Sequence, residues 1–172
     1  MMPLPNVATE RHRSFNALEA ATKMCDSIPR SLLSLSFQST SDAVRKTLGC
    51  IAQAVADAGQ NPTATNNIEL AMAEALNNVV EHSFRDRENG QILLSIMLLE
   101  DSFRISIRHD GTPMPGLRLP AGKPATIGNE IANLPEGGFG WFLIRSLIID
   151  ATYSHRENWN ELVLRFSRHP AN

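Results

Sequence analysis

The sequence predicts an α+β fold, a mixed sheet with helices packed on one face. Three observations carry this. Short segments alternate apolar and polar residues with the period of two that belongs to strands, in SLLSLSFQ, SFRISIRH and NELVLRF. Two longer segments repeat their apolar residues at helical spacing. No internal repeat, low-complexity stretch or linker divides the chain, and 172 residues are enough for one domain with a sizeable core.

Residues 1–30 are read as an N-terminal extension, either an accessory arm or a partly disordered one. Pro3 and Pro5 give it a loose start, SFNALEAATKMC offers a short helix with Phe15, Leu18 and Met24 available to dock, and Ile28-Pro29 breaks that helix. Residues 31–168 are read as the domain. In 31–38, Leu33, Leu35 and Phe37 alternate with Ser34, Ser36 and Gln38 as a half-buried strand. Ser39, Thr40 and Ser41 offer a helix cap, and Val44, Leu48, Ile51 and Val55 follow at helical spacing. Gly59 stops this helix and Asn61-Pro62 turns the chain. A second helix is expected from about 64 to 83. Strands 91–100 and 102–109 form a hairpin about Glu100-Asp101, with Phe103, Ile105, Ile107 and His109 on the inward row. Residues 110–138 hold several Gly and Pro and little periodicity; a connection that long in a compact domain is functional or mobile. A short apolar helix opens after Gly137, Gly138 and Gly140, and two strands, 151–155 and 160–166, close the chain about a turn near Trp159-Asn160.

Composition narrows the function. With 16 basic and 18 acidic residues the net charge is -2 and no basic block occurs, so a direct nucleic-acid interface is not expected. No apolar run reaches ~18 residues, so no membrane span is expected, and the N-terminus has no apolar signal core. Cys25 and Cys50 lack metal-site spacing and are too few for a disulfide framework; they read as free thiols of a cytoplasmic protein.

The second helix carries the chemistry. Ile68, Met72, Ala75 and Val79 form its apolar stripe. Glu74, Asn78 and His82 step by four along one edge of that stripe. A carboxylate there can accept a proton and an amide oxygen can hold a hard cation. The same three residues would also serve as a hydrogen-bonded rim. The glycines before Trp141 leave backbone N–H groups bare at a helix start, where a phosphate can approach, though a plain helix cap uses glycine in the same way. Their spacing is neither a dinucleotide fingerprint nor a Walker loop. His109-Asp110-Gly111-Thr112-Pro113-Met114-Pro115 ends a strand in a polar pair and a turn, able to present a side chain to a ligand.

The order of these motifs resembles the GHKL ATPase superfamily, the group of gyrase, the large heat-shock chaperone, histidine kinases and mismatch-repair ATPases. Within it the chain is most similar to the RsbW-like anti-sigma factor serine-protein kinases, over roughly residues 31–167. EALNNVVEH matches the EAxxNAxxH helix, and GGFGWFLIRSLIID matches GGxGLFLIxxLxD. The resemblance implies the Bergerat ATP-binding fold, a two-layer α/β sandwich whose mixed, mostly antiparallel sheet carries three helices on one face. It implies ATP and Mg²⁺ as cofactors, with ATP between helices and a lid at 116–137. Glu74 would be the general base toward a serine hydroxyl, and Asn78 the Mg²⁺ ligand. Gly138 and Gly140 would make room for phosphates. His82 would complete the helix motif, bonded to nearby backbone, and Lys123 in the lid would reach a phosphate or stay solvated. Arg145 would be a surface or partner contact, and Trp141 and Phe142 core or dimer-face residues.

One position departs from the family. Where Asp-x-Gly is usual and the Asp receives the adenine amino group, the residue two before Gly111 is His109, and Asp110 comes one later. Either His109 accepts the amino hydrogen through a neutral ring nitrogen, or a bulge swings Asp110 into place. The function implied is a bacterial anti-sigma factor that sequesters a sigma factor and phosphorylates a serine on a STAS-type anti-sigma factor antagonist, with a homodimer expected by analogy. The alternative is a partner-switching module with little or no ATP turnover. A sensor histidine-kinase domain fits poorly, because no phosphoacceptor helix pair fits within about 30 upstream residues.

Overall fold

The computed structural model describes residues 29–85, 87, 90–121 and 138–168. Lys123, Gly137, Phe15, Leu18, Met24, Cys25 and most of the expected lid lie outside the described residues. Five strands form one sheet in the order β1-β2-β3-β5-β4. They are β1 (Arg30–Gln38), β2 (Gln91–Leu98), β3 (Ser102–His109), β4 (Asp150–Arg156) and β5 (Trp159–Ser167). Helices α1 (Ser41–Asp57), α2 (Pro62–Asn78) and α3 (Gly138–Leu147) bury their apolar faces on one side of it.

Every pairing among the described strands is antiparallel, where a mixed sheet was expected. The connectivity explains this. β1 and β2 are joined through two helices, which return the chain to the end where β1 finished. β2–β3 and β4–β5 are hairpins. β3 and β4, with α3 on the chain between them, run the same way, but β5 inserts between them, so no parallel pair among the described strands is hydrogen-bonded.

Local chemistry sets the helix ends. The Thr40 side chain accepts from Ala43 N at 3.2 Å and caps α1. Gly59, just past the end of α1, has φ +87°, which only glycine adopts at little cost. Asn61-Pro62, expected as a turn, starts α2: Asn61 accepts from Ala64 N at 2.9 Å, and Pro62 sits where its fixed φ suits a helix and no N–H is needed. The expected stripe of α2 is buried at Ile68, Met72, Ala75 and Val79. From Val79 to Ser83 the helix widens into one π-helical turn. The β4–β5 turn lies at Glu157 and Asn158, φ 51° and 66°, two residues earlier than expected. Two residues with positive φ make the tight turn whose twist matches the flanking strands. That turn leaves Trp159 and Asn160 inside β5.

The inward rows of the sheet are buried at Ile92, Leu94 and Ile96, at Phe103, Ile105 and Ile107, and at Leu162, Leu164 and Phe166. At one end the register aligns Phe37, Ile92, His109, Asn160 and His155 across all five strands. That row turns from apolar to polar as it passes beneath the end of α2.

Candidate functional site

Two clusters border the C-terminal end of α2. The first joins α2 to α3. Glu74 and Asn78 lie one helical turn apart, both half-buried. Gly140, in the first turn of α3, fills the space beside them: a Cβ added there would come within 2.6 Å of Glu74 Oε2 and 3.7 Å of Asn78 Nδ2. Asn78 Nδ2 is buried and makes no hydrogen bond. A buried amide N–H without a partner costs stability where nothing satisfies it. Gly138 begins α3, whose first N–H groups have no partner within the helix. A carboxylate and an amide on α2 therefore lie beside a glycine in the first turn of α3. Among the described residues no three His, Cys, Asp or Glu side chains converge on a metal. A Mg²⁺ ion here would take the Asn78 amide oxygen and otherwise phosphate and water oxygens, which suits a hard cation that keeps much of its hydration.

The second cluster lies around the turn after β3. β3 runs in unbroken register to His109, which pairs with Ile92 and Asn160, so no bulge brings Asp110 inward. His109 occupies the inward position and is 1% exposed, its ring edge-on to Phe84 at 5.8 Å. Burial pushes its pKa down to about 4, with the His155 charge adding to that and the Asp110 charge opposing it, so the ring is neutral at pH 7. Asp110 turns away: Arg87 Nη2 donates to it at 2.7 Å and Gln91 N at 3.2 Å. Burial alone would raise the Asp110 carboxyl, but the hydrogen bond from Arg87 and the one from Gln91 N hold it below the usual carboxylate range. Gly111 lies flat on the π-helical turn. A Cβ there would meet Ser83 O at 2.6 Å, and Thr112 N donates to that same oxygen at 2.8 Å.

Asn160 holds this turn from β5, a role the sequence reading missed. Its Nδ2 donates to Gly111 O at 2.7 Å and to His109 O at 3.3 Å, and lies 3.4 Å from His109 Nδ1. Its Oδ1 accepts from the Tyr153 hydroxyl and from His155 Nδ1. The Tyr153 oxygen in turn accepts from Met114 N at 3.0 Å. The signal was present: Asn160 shares the parity of Leu162, Leu164 and Phe166, so a polar amide on a buried row had to be satisfied by the neighbouring strand or turn.

The structure brings together Glu74, Asn78 and Gly140 in one cluster, and His109, Gly111 and Asn160 in the other. His82 is exposed, because the wider π turn carries it off the four-residue step that relates Glu74 to Asn78. Arg145, expected as a free surface or partner contact, donates twice to Pro120 O, at 3.0 and 2.8 Å, and so ties α3 to the chain leaving the β3 turn. Trp141 is buried in the core, while Phe139 is exposed beside Phe142. Cys50 is an exposed free thiol. Among the described residues no helix is long and apolar enough to cross a membrane.

Comparison with known proteins bears on the family and the fold. The family model of the histidine kinase-like ATPase domain matches residues 37–166. The serine-protein kinase RsbW of Listeria monocytogenes serovar 1/2a is 26% identical over 110 residues, covering 63% of this chain and 70% of that one. The serine-protein kinase RsbW of Bacillus cereus strain AH187 is 29% identical over 102 residues, covering 58% of this chain and 62% of that one. Among solved structures, that of the RsbU and RsbW domains of Rv1364c from Mycobacterium tuberculosis superposes with a TM-score of 0.56 at 18% identity. That likeness is one of fold; it covers 81% of this chain, which spans 32% of the other. The sheet with its helices on one face and the match over 37–166 lead to one conclusion: this chain belongs to the histidine kinase-like ATPase domain family, in the GHKL superfamily, and is similar to the RsbW serine-protein kinases.

Proposed function

We propose that this protein is an anti-sigma factor with serine-protein kinase activity, which sequesters a sigma factor and phosphorylates a serine on a STAS-type antagonist using ATP and Mg²⁺. The observation that carries the reading is the contact of Gly140 with Glu74 and Asn78. In this reading the triphosphate lies along the α3 N-terminus, where unpaired N–H groups and the helix dipole favour negative charge. Asn78 would hold Mg²⁺ through its amide oxygen, and the ion would offset the charge of the phosphates. Glu74 takes the proton of the serine hydroxyl as its oxygen bonds to the γ-phosphorus, and the bond to the β-phosphate oxygen breaks to release ADP. The base would lie toward the turn after β3, near His109 and Gly111, with Asp110 held outward by Arg87 and Gln91. The protein works in the cytoplasm, where its partners are.

The test is phosphate transfer from radiolabelled ATP with Mg²⁺ and the antagonist, comparing wild type with Glu74→Gln. Transfer by wild type and its loss in the variant support the kinase. Absence of transfer by wild type removes the enzymatic half. His109 favours a second reading, a partner-switching module without turnover, because a histidine stands where the family has its base-binding carboxylate. Calorimetry separates the two: a module of that kind gives no heat with millimolar ATP or ADP.

A further inference from the structure

The helices pack on one face of the sheet, and the other face is open to solvent at Ser34, Ser36, Arg104, Arg108 and Arg156. The strand register arranges its side chains in rows that cross the strands. One row runs Met97, Arg104, Arg165, Asp150; another, four residues along β3, runs Leu93, Arg108, Glu161, Ser154. Between them lie Ser95, Ser106 and Val163, and a hollow of about 390 Å³ opens over Ser95 and Ser106 beside Leu93 and Arg108. Four arginines, Arg104, Arg108, Arg156 and Arg165, share this face with two carboxylates. Both carboxylates are engaged: Asp150 accepts from Arg165 at 3.0 Å, and Glu161 from the Ser106 hydroxyl at 2.7 Å. The face is therefore basic on a chain whose net charge is -2. Arg104 and Arg165 stand directly opposite each other across β3 and β5, where like charges destabilise a sheet. Among the described residues no carboxylate forms an ion pair with Arg104, and Arg165 Nε is buried without a partner. Arg108 lies over the half-buried Trp159 ring, 5.3 Å from its centre, which holds the guanidinium against the face. Folding gains little from this concentration of positive charge.

Dimensions name the shape of the occupant. Four residues along a strand separate the Arg104 row from the Arg108 row by about 13 Å, and five strands extend about 19 Å across the sheet. An α-helix is about 10 Å wide, and twelve residues of it rise about 18 Å. A helix laid across the strands fits between the two rows, over Val163 and the half-buried Leu93 and Met97. We propose that this face docks an amphipathic helix of a partner protein, apolar toward the sheet and acidic along both flanks, with carboxylates meeting Arg104 and Arg165 on one side and Arg108 on the other. Charge complementarity selects this occupant. The phosphates of a nucleic acid would also meet Asp150 and Glu161, which sit in the same rows. A second copy of the chain would set a basic face against itself. The proposal goes beyond the kinase reading and needs no nucleotide.

The experiment titrates the full chain, without nucleotide, with a helical peptide of about 14 residues that carries leucines on one face and glutamates on both flanks. Amide NMR shifts report where it binds. A second peptide has lysine at every glutamate position, and a short DNA duplex is the third probe. Binding of the glutamate peptide with shifts on β2, β3 and β5, weakened about tenfold or more in Arg104→Glu/Arg108→Glu, supports the proposal. No binding of that peptide, equal binding of the lysine peptide, or unchanged affinity in the double variant overturns it. DNA that binds more tightly than the glutamate peptide overturns it in favour of a nucleic acid, and a wild-type dimer that the double variant dissolves, seen by sedimentation, overturns it in favour of a second copy. Both arginines are exposed and Arg104→Glu places a carboxylate opposite Arg165, so the double variant is expected to melt no lower than wild type. Should it not fold, the two peptides compared on wild type decide the matter. Loss of the docking leaves the kinase reading untouched, and a failed phosphate transfer leaves this face untouched.

Discussion

Gly140 stands against Glu74 with no room for a side chain between them, a Cβ at Gly140 falling 2.6 Å from Glu74 Oε2. The obstacle is the far end of a flexible carboxylate, so the fold can accommodate a methyl group by moving that carboxylate. Gly140→Ala also gains helix propensity of about 1 kcal/mol, which offsets much of the steric cost. The expected outcome is a melting temperature within a few degrees of wild type and a fall in nucleotide affinity and phosphate transfer of about tenfold or more. Thermal denaturation and nucleotide titration on the same preparation check both halves.

Gly111 meets the opposite situation. Its added Cβ would strike Ser83 O, a backbone atom at 2.6 Å that already receives Thr112 N. Either the β3 turn or the π-helical turn must move. Gly111→Ala is expected to lose about 1–3 kcal/mol, seen as a lower urea midpoint.

Asn78 places function against stability. Its buried Nδ2 has no partner, so an apolar residue of similar volume should be tolerated or favoured in the ligand-free protein. Asn78→Leu is expected to raise stability by about 1 kcal/mol and to abolish the stabilisation that Mg-ATP confers on wild type. Melting curves with and without nucleotide decide this. A ligand-dependent shift that survives in the variant removes Asn78 from the site.

His109 gives stability a pH dependence with a defined sign. Its pKa lies near 4 in the fold and 6.5 in the unfolded chain, so between these values the unfolded chain binds the extra proton. Its contribution is complete above about pH 6.5, declines as pH falls toward 4 by up to about 1.4 kcal/mol per pH unit, and is gone below that. His109→Gln is expected to flatten the stability profile across this window. Asp110, whose carboxyl is held low by Arg87 and Gln91, acts below its ordinary value of 3.8 and leaves the window clear.

The sheet and helices were legible because alternation and helical periodicity are local properties of the chain. β3 keeps the expected faces, with Phe103, Ile105, Ile107 and His109 all buried. α1 keeps its expected stripe at Val44, Ile51 and Val55, with Leu48 half-buried. The π turn was not legible, since Val79–Ser83 carries no proline or glycine to mark it and it is stabilised by the Gly111–Thr112 turn packed against it. The β4–β5 turn was misplaced by two residues because Glu157 is an uncommon residue at positive φ.

By itself, the sequence determined the order of elements, the inward position of His109 and the placing of Glu74 and Asn78 along one helix edge, each set by the spacing of near neighbours. Tertiary structure alone decided that Gly140 closes on Glu74, that Asp110 is held by Arg87, and that Asn160 reaches Gly111 and orients the His109 ring. Those contacts join residues far apart in the chain. Their geometry follows from how β5 inserts beside β3 and how α3 packs on α2, which no local pattern of residue types encodes.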